Sequence, residues 1–218
     1  MGLLASQPVV LPYQELPGAV SARELAEHYK LYLGYREQVQ RVGQGLLTAP
    51  RPTKSQYESP YSGLLWGQGF ALAGAHLHEL YFENLTRLTI RPLILLGIDK
   101  ACEIRWGSQE AFRKEFVAAG LEARGWVVLA VAYNDVSDLR IFALDAHDLG
   151  AVYGYCPLLV IDTYEHAYWM DFGTDKGSYL SRVMGYVDWN VVEGRFKTVH
   201  PGGPIVAPPV VAYSYDRS

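Results

Sequence analysis

The sequence is short of most features that mark a specialised chain. Only 2 of its 218 residues are cysteine, Cys102 and Cys156. They form no CxxC pair, which excludes a disulfide scaffold and a cysteine-clasped metal and leaves two small hydrophobes suited to burial. Charged residues make up 19%, and 19 Lys and Arg are outnumbered by 23 Asp and Glu, a formal net charge of −4. That balance offers no basic stripe for a nucleic-acid backbone. No uninterrupted apolar run approaches the roughly 18–20 residues needed to cross a bilayer. The longest runs, such as Pro92 to Ile98, suit a core element. The N-terminus lacks the charged start and long apolar stretch of a secretion signal, although Met1-Gly2 followed by Ser6 nominally matches a myristoylation pattern. These absences predict a cytoplasmic globular protein that engages neither nucleic acid nor membrane.

What is present is half hydrophobic, enough to bury a sizeable core and to exclude disorder. After a Pro- and Gly-containing lead-in, Ser21 and Glu24 form the N-cap and N3 positions of a capping box. A helix is predicted from Ala22 to Gln44, with Leu25, His28, Tyr32, Tyr35 and Val39 on one face. The Pro- and Ser-containing stretch from Thr48 to Pro60 reads as a loop. A second helix follows over Gly63–Leu85, its inner face including Phe70, Gly74, His78 and Tyr81. Further on, Ser108 can cap a helix over Gln109–Ala119. Strands are predicted at Trp126–Tyr133 and Leu139–Leu144, joined by the turn Asn134-Asp135, and at Leu158–Ile161. A short helix belongs near Glu165 and two more between Lys176 and Phe196. The expected class is α+β, with a helical hairpin over residues 1–90 and an α/β domain over 91–200 carrying a small three-stranded antiparallel sheet. A Pro-rich tail fills 201–218.

The six histidines, at 28, 76, 78, 147, 166 and 200, locate the chemistry. Asp162 ends an apolar strand and His166 follows four residues later, so the two converge if a helical turn begins between them. A carboxylate at the end of a buried strand is costly unless paired or metal-bound; the bland alternative is a helix cap beside a half-buried histidine. His78 lies on the inner face of the second helix. His76, two positions away and roughly 200° round the helix, points elsewhere and reads as a surface residue. Adding His28 gives three nitrogens and one oxygen, a set suited to Mn, Fe or Zn with a position left open.

Asp162-Thr-Tyr-Glu-His-Ala-Tyr168 resembles the D-x-[WYF]-E-H-A-[YF] signature of the iron/manganese superoxide dismutases. Tyr179-Leu180, Val187-Asp-Trp189, Gly125-Trp126 and the helical segment Ala73–Phe82 are similar to further elements of that family, in order, across about residues 20–197. The resemblance implies that His28, His78, Asp162 and His166 hold one Mn or Fe ion per chain. It implies that His147 hydrogen-bonds the solvent at the metal, with Gly74 leaving room for it, and that Tyr35 guards the substrate funnel. Trp126, Phe82 and Tyr164 become an aromatic wall. Glu165 is expected to reach across a homodimer interface toward His166 of the partner subunit, with Trp169 in place of an interface tyrosine; dimers can pair further into tetramers.

The implied activity is antioxidant disproportionation of superoxide; the alternative is a non-catalytic subunit of the same fold in a larger assembly. Zinc fits the same ligands but cannot cycle between oxidation states. Two departures stand out. The usual first-helix tyrosine lies eight residues after the ligand histidine, whereas Tyr35 lies seven after His28; counting back eight reaches Glu27. Four-and-seven spacing keeps His28, Tyr32 and Tyr35 on one face of a regular helix, which favours His28. Thr174-Asp-Lys176 stands where the family carries a funnel arginine, leaving Lys176 as the available cation.

Overall fold

A computed structural model describes residues 7–54, 59–87, 97–151 and 153–199. The lead-in residues 1–6, His200 and the Pro-rich tail at 201–218 lie outside the described residues, as does most of the Pro92–Ile98 run.

Helices α1 (Ala22–Thr48) and α2 (Pro60–Glu83) form the expected antiparallel pair. Helix α1 is α-helical throughout, as the four-and-seven spacing requires. It runs four residues past the expected end, to Thr48, where the N–H of the C-cap Ala49 donates to the Gly45 carbonyl, and Gly45 lets Leu64 of α2 come close: a Cβ there would stand 2.9 Å from the leucine Cδ2. Helix α2 begins at Pro60 rather than Gly63. Ser59 Oγ accepts from the Ser62 N–H at 3.0 Å, and proline suits the first turn because that turn needs no N–H from it.

Helices α3 (Gly97–Trp106) and α4 (Gln109–Glu122) follow. Helix α3 was not anticipated, since no capping residue or strong periodicity marks its start. Its first turn is held from a distance, by Glu193 Oε2 accepting the Ile98 N–H at 2.8 Å. The sheet has the order β2-β1-β3, built from β1 (Trp126–Ala132), β2 (Asp135–Leu144) and β3 (Tyr155–Asp162), with both pairings antiparallel. Strand β1 is central and buried along its whole length. Pro157 is tolerated because β3 lies at the edge, where the register against β1 shifts between Leu129 and Ala130. Helices α5 (Trp169–Phe172), α6 (Lys176–Val183) and α7 (Trp189–Val199) follow among the described residues, with short 3₁₀ turns at Glu165–Ala167 and Met184–Tyr186.

One apolar cluster joins the hairpin to the sheet region; its largest wholly buried side chains include Trp126, Tyr32, Tyr81 and Tyr179. A polar joint is set into it. Asn84, fully buried at the end of α2, donates through Nδ2 to the Val160 carbonyl of β3 at 2.6 Å, while its own carbonyl accepts the Asp188 N–H. Arg195 of α7 donates to the Asn84 side chain and to the Leu158 and Leu80 carbonyls. This joint fixes α2, which carries His78, against β3, which carries Asp162.

Asn84→Leu leaves the Val160 carbonyl and one Arg195 N–H without their partner at almost unchanged volume. A buried polar group stripped of its partner costs about 1–3 kcal/mol, so chemical denaturation is expected to show a loss of about 2–4 kcal/mol. A loss below about 0.5 kcal/mol would show that the joint contributes no net stability.

Candidate metal centre

Asp162 occupies the last position of β3, paired across the sheet with Trp126. Its Oδ1 accepts the Tyr164 N–H at 2.9 Å, which turns the chain and leaves Oδ2 pointing inward. Three imidazoles converge on Oδ2. His28 Nε2 lies at 3.1 Å, His166 Nε2 at 3.2 Å and His78 Nε2 at 3.7 Å. The ligand-capable atoms of all four residues fall within 4.8 Å of one another, and only His166 has any exposure, at 28% of its side chain.

The donor chemistry calls for a cation. His78 Nδ1 lies 2.6 Å from the Gly74 carbonyl, which can only accept, so Nδ1 carries the hydrogen. Nε2 therefore presents a lone pair, buried and without a hydrogen-bond partner, toward a carboxylate oxygen. Two acceptors face each other in the interior, an arrangement that a metal ion between them satisfies. Burial pushes His78 down to about 3 and also lowers His28, keeping both rings neutral and ready to ligate. Burial would raise Asp162, but the charge and hydrogen bond of His166, together with His28, hold it well below the usual carboxylate range. For His166 burial acts downward, and contact with Asp162 outweighs it.

Aromatic rings stand around this set. Trp126 meets His78 edge-on at 5.0 Å, Phe82 lies 5.1 Å from His28, and Tyr164 stacks on His166 at 5.2 Å. His147 follows β2 and is nearly buried. Trp126 Nε1–H donates to its Nδ1 at 3.0 Å. Indole can only donate, so the imidazole hydrogen sits on Nε2 and is given to Tyr35 Oη at 2.8 Å. The phenol hydrogen of Tyr35 is thereby left for another acceptor.

Three sequence expectations need correction. The ring nearest to Gly74 is that of Tyr35 rather than His147, with Cδ1 at 2.9 Å from an ideal Cβ. His76 is not a surface residue: its Nδ1 is buried, and burial followed by the charge of Arg195 lowers its pKa. Lys176 is not a funnel cation, because its Nζ donates to the Leu121 and Ala123 carbonyls at the end of α4. Glu165 and Trp169 are exposed beside His166, along a cleft of about 350 Å³ that Glu24, Glu27, Leu31 and Met170 also line.

A polar lock next to the centre escaped sequence reasoning. Tyr32 Oη donates to Glu79 Oε1 at 2.9 Å and accepts from the Val9 N–H at 3.1 Å, and Arg36 pairs with the same carboxylate. The signal was the four-residue step from Tyr32 to Arg36, together with a glutamate directly after His78 on a buried helix.

The comparisons with known proteins point to one family. Residues 96–195 match the family model of the C-terminal domain of iron/manganese superoxide dismutases. The chain is similar to a superoxide dismutase [Fe] of Aquifex pyrophilus, 33% identical over 172 residues that cover 78% of this chain and 79% of that one. It is also similar to superoxide dismutase [Mn] 1 of Halobacterium salinarum, 42% identical over 127 residues, covering 57% of this chain and 62% of the other. A superoxide dismutase [Fe] of Tetrahymena pyriformis is 30% identical over 192 residues, covering 84% and 95%.

Two outcomes are expected. His28 and His78 stay neutral when folded, whereas the unfolded chain protonates both below the ordinary histidine value of 6.5. The unfolded state then binds more protons, so the metal-free protein loses stability as pH falls from about 6.5, by about 1.4 kcal/mol per pH unit for His78, with His28 adding in the same direction. The contribution of Asp162 is lost only lower, through the carboxylate range. Urea denaturation at pH 6.5, 5.5 and 4.5 measures this, and a flat profile contradicts it. Gly74→Ala sets two effects against each other: better helix propensity, about 1 kcal/mol, and a Cβ driven into Tyr35, about 1–3 kcal/mol. The clash is expected to win, with net destabilisation of about 1 kcal/mol; a stabilised variant would refute the packing argument.

Proposed function

The chain belongs to the iron/manganese superoxide dismutase family, and from that membership we propose that it disproportionates superoxide at one Mn or Fe ion held by His28, His78, Asp162 and His166. The observation that carries the reading is the inward lone pair of His78 facing the Asp162 carboxylate, completed by two more imidazoles. When bound, the ion supplies a one-electron couple that takes an electron from one superoxide, giving dioxygen, and returns it to a second, giving hydrogen peroxide.

The residues do the rest. Three imidazoles, each neutral once it ligates, and one carboxylate would set the charge of the site and fix where the ion sits. Asp162 is held in register by β1 and cannot drift, because its second oxygen is tied to the Tyr164 N–H. The second superoxide needs two protons to leave as peroxide. Tyr35 holds one at Oη: burial, then the charge of Asp162, raises its pKa, so the phenol stays protonated. His147 orients that phenol by donating to its oxygen, and Trp126 fixes the tautomer that does so.

We further propose that the protein works as a homodimer in the cytoplasm. The exposed Glu165 and Trp169 beside a partly open His166 support an interface there, with Glu165 reaching His166 of the partner subunit. Among the described residues no helix is long and apolar enough to cross a membrane.

Elemental analysis of protein purified without added metal or chelator is expected to find about one Mn or Fe per chain, and His166→Ala to lose most of it with superoxide-consuming activity. A well-folded wild-type protein that takes up only zinc or no metal, and consumes no superoxide, would refute the reading.

A further inference from the structure

Glu24 departs from the role its position suggests. In a capping box the N3 glutamate returns to the backbone N–H of the N-cap residue. Ser21 Oγ does accept the Glu24 N–H, at 3.2 Å, but the other half is missing. The Ser21 N–H instead donates to Asp171 Oδ2 at 2.6 Å, from α5. Glu24 is freed and turns inward, where its Oε2 accepts the Met170 N–H of α5 at 2.7 Å. Helices α1 and α5 thus exchange caps, each carboxylate satisfying a backbone donor of the other helix. Glu24 is wholly buried and its Oε1 has no hydrogen-bond partner, an arrangement costly enough to need a compensating purpose.

The position of this exchange suggests that purpose. His28 lies one helical turn after Glu24, and His166 lies four residues before Met170. The segment carrying His166 is tied at its start by β3 and the Asp162–Tyr164 turn. At its far end Glu24 ties it through the Met170 amide, and Asp171 ties it to Ser21 one residue further on. Between those anchors His166 has the only partly exposed side chain of the four. Its ring centroid stands 5.0 Å from that of His28.

We infer that Glu24 is a positioning residue for His166: by clamping the Met170 amide to α1, it holds the partly exposed imidazole against His28 from within the same chain. The inference rests on the reading of His166 as a metal ligand. It goes beyond that reading in assigning the support of His166 to an intrachain carboxylate, independent of any contribution from a second copy.

The test uses manganese-loaded protein challenged with excess EDTA, following release by elemental analysis of the manganese left on the protein after rapid desalting at successive times. Amide exchange at Met170 is measured in the metal-free protein. Glu24→Ala is expected to release Mn²⁺ about 10-fold faster or more and to raise Met170 exchange by a similar factor. Glu24→Gln retains an oxygen that can accept from Met170 and is expected to stay within about threefold of wild type on both readouts, a rescue that charge alone would not give. Asn84→Leu, which lowers stability elsewhere, controls for general loosening and is expected to leave Met170 exchange close to that of wild type.

Release from Glu24→Ala within twofold of wild type overturns the inference, as does Glu24→Gln leaking as fast as Glu24→Ala. If Glu24→Ala fails to fold, Asp171→Ala, which opens the other half of the exchange, must accelerate release in its place; unchanged release refutes the clamp. A wild-type chain that takes up no manganese or iron defeats the ligand reading instead, and Met170 exchange in the metal-free variants still decides whether the clamp exists.

Discussion

Everything around the candidate centre follows from one buried carboxylate. Asp162 sits at the end of an edge strand, with no exposure and opposite Trp126, the largest wholly buried side chain among the described residues. A lone ionised carboxylate there would be prohibitively costly, and neither Trp126 nor the neighbouring aliphatics can compensate it. The chain answers by bringing one imidazole from each hairpin helix and one from the turn after β3 to the same oxygen. The helices are held where they must be for this. Helix α2 is fastened to β3 through Asn84 and Arg195, and α1 to α5 through the exchanged caps. These two joints therefore lie where an element carrying one of the converging residues could slip.

The first helix shows how a substitution pattern is absorbed by geometry. A regular helix turns 100° per residue, so positions four and seven beyond His28 return to nearly the same face, whereas position eight is displaced by most of a quarter turn. Tyr35 takes the inward position at seven and reaches His147. The residue at eight, Arg36, is carried to the flank, where it pairs with Glu79. Tyr32, at four, is locked to the same glutamate and to the Val9 backbone. Arginine and glutamate compensate each other there, and the lock stiffens the seam between the helices without placing a net charge beside the centre.

Much of this was legible in the sequence because it depends on short spacings and on residue types with few alternatives. An acid and a histidine four apart after an apolar strand, and a histidine on the inner face of each hairpin helix, marked the converging residues. Alternation and turn residues marked the strands. What was not legible depends on partners remote in the chain. Helix α3 is started by Glu193. Lys176 is drawn to the carbonyls that end α4. His76 looked like a surface residue from its helical angle, yet its Nδ1 is buried and the charge of Arg195 acts on it. Gly74 was linked to His147, whereas its missing Cβ accommodates Tyr35. Local rules fail in the same way at Glu24, where the capping box was recognised but the destination of its carboxylate lay 146 residues away.

The hydrogen-bond directions near the centre add a constraint that spacing cannot express. Indole nitrogen donates and never accepts, so the Trp126–His147 contact dictates the imidazole tautomer, and the tautomer dictates that Tyr35 Oη receives a hydrogen from His147. A backbone carbonyl does the same for His78, sending its lone pair toward Asp162. Two rigid groups, one at the start of β1 and one within α2, thus decide where protons can and cannot reside around the centre. On the His147 side a phenol is left with its own hydrogen to give. On the His78 side a nitrogen is left with a lone pair and no hydrogen to donate. A site that holds a cation at one end and releases a proton at the other needs this asymmetry, and Trp126, which has neither acid nor base chemistry of its own, sets half of it.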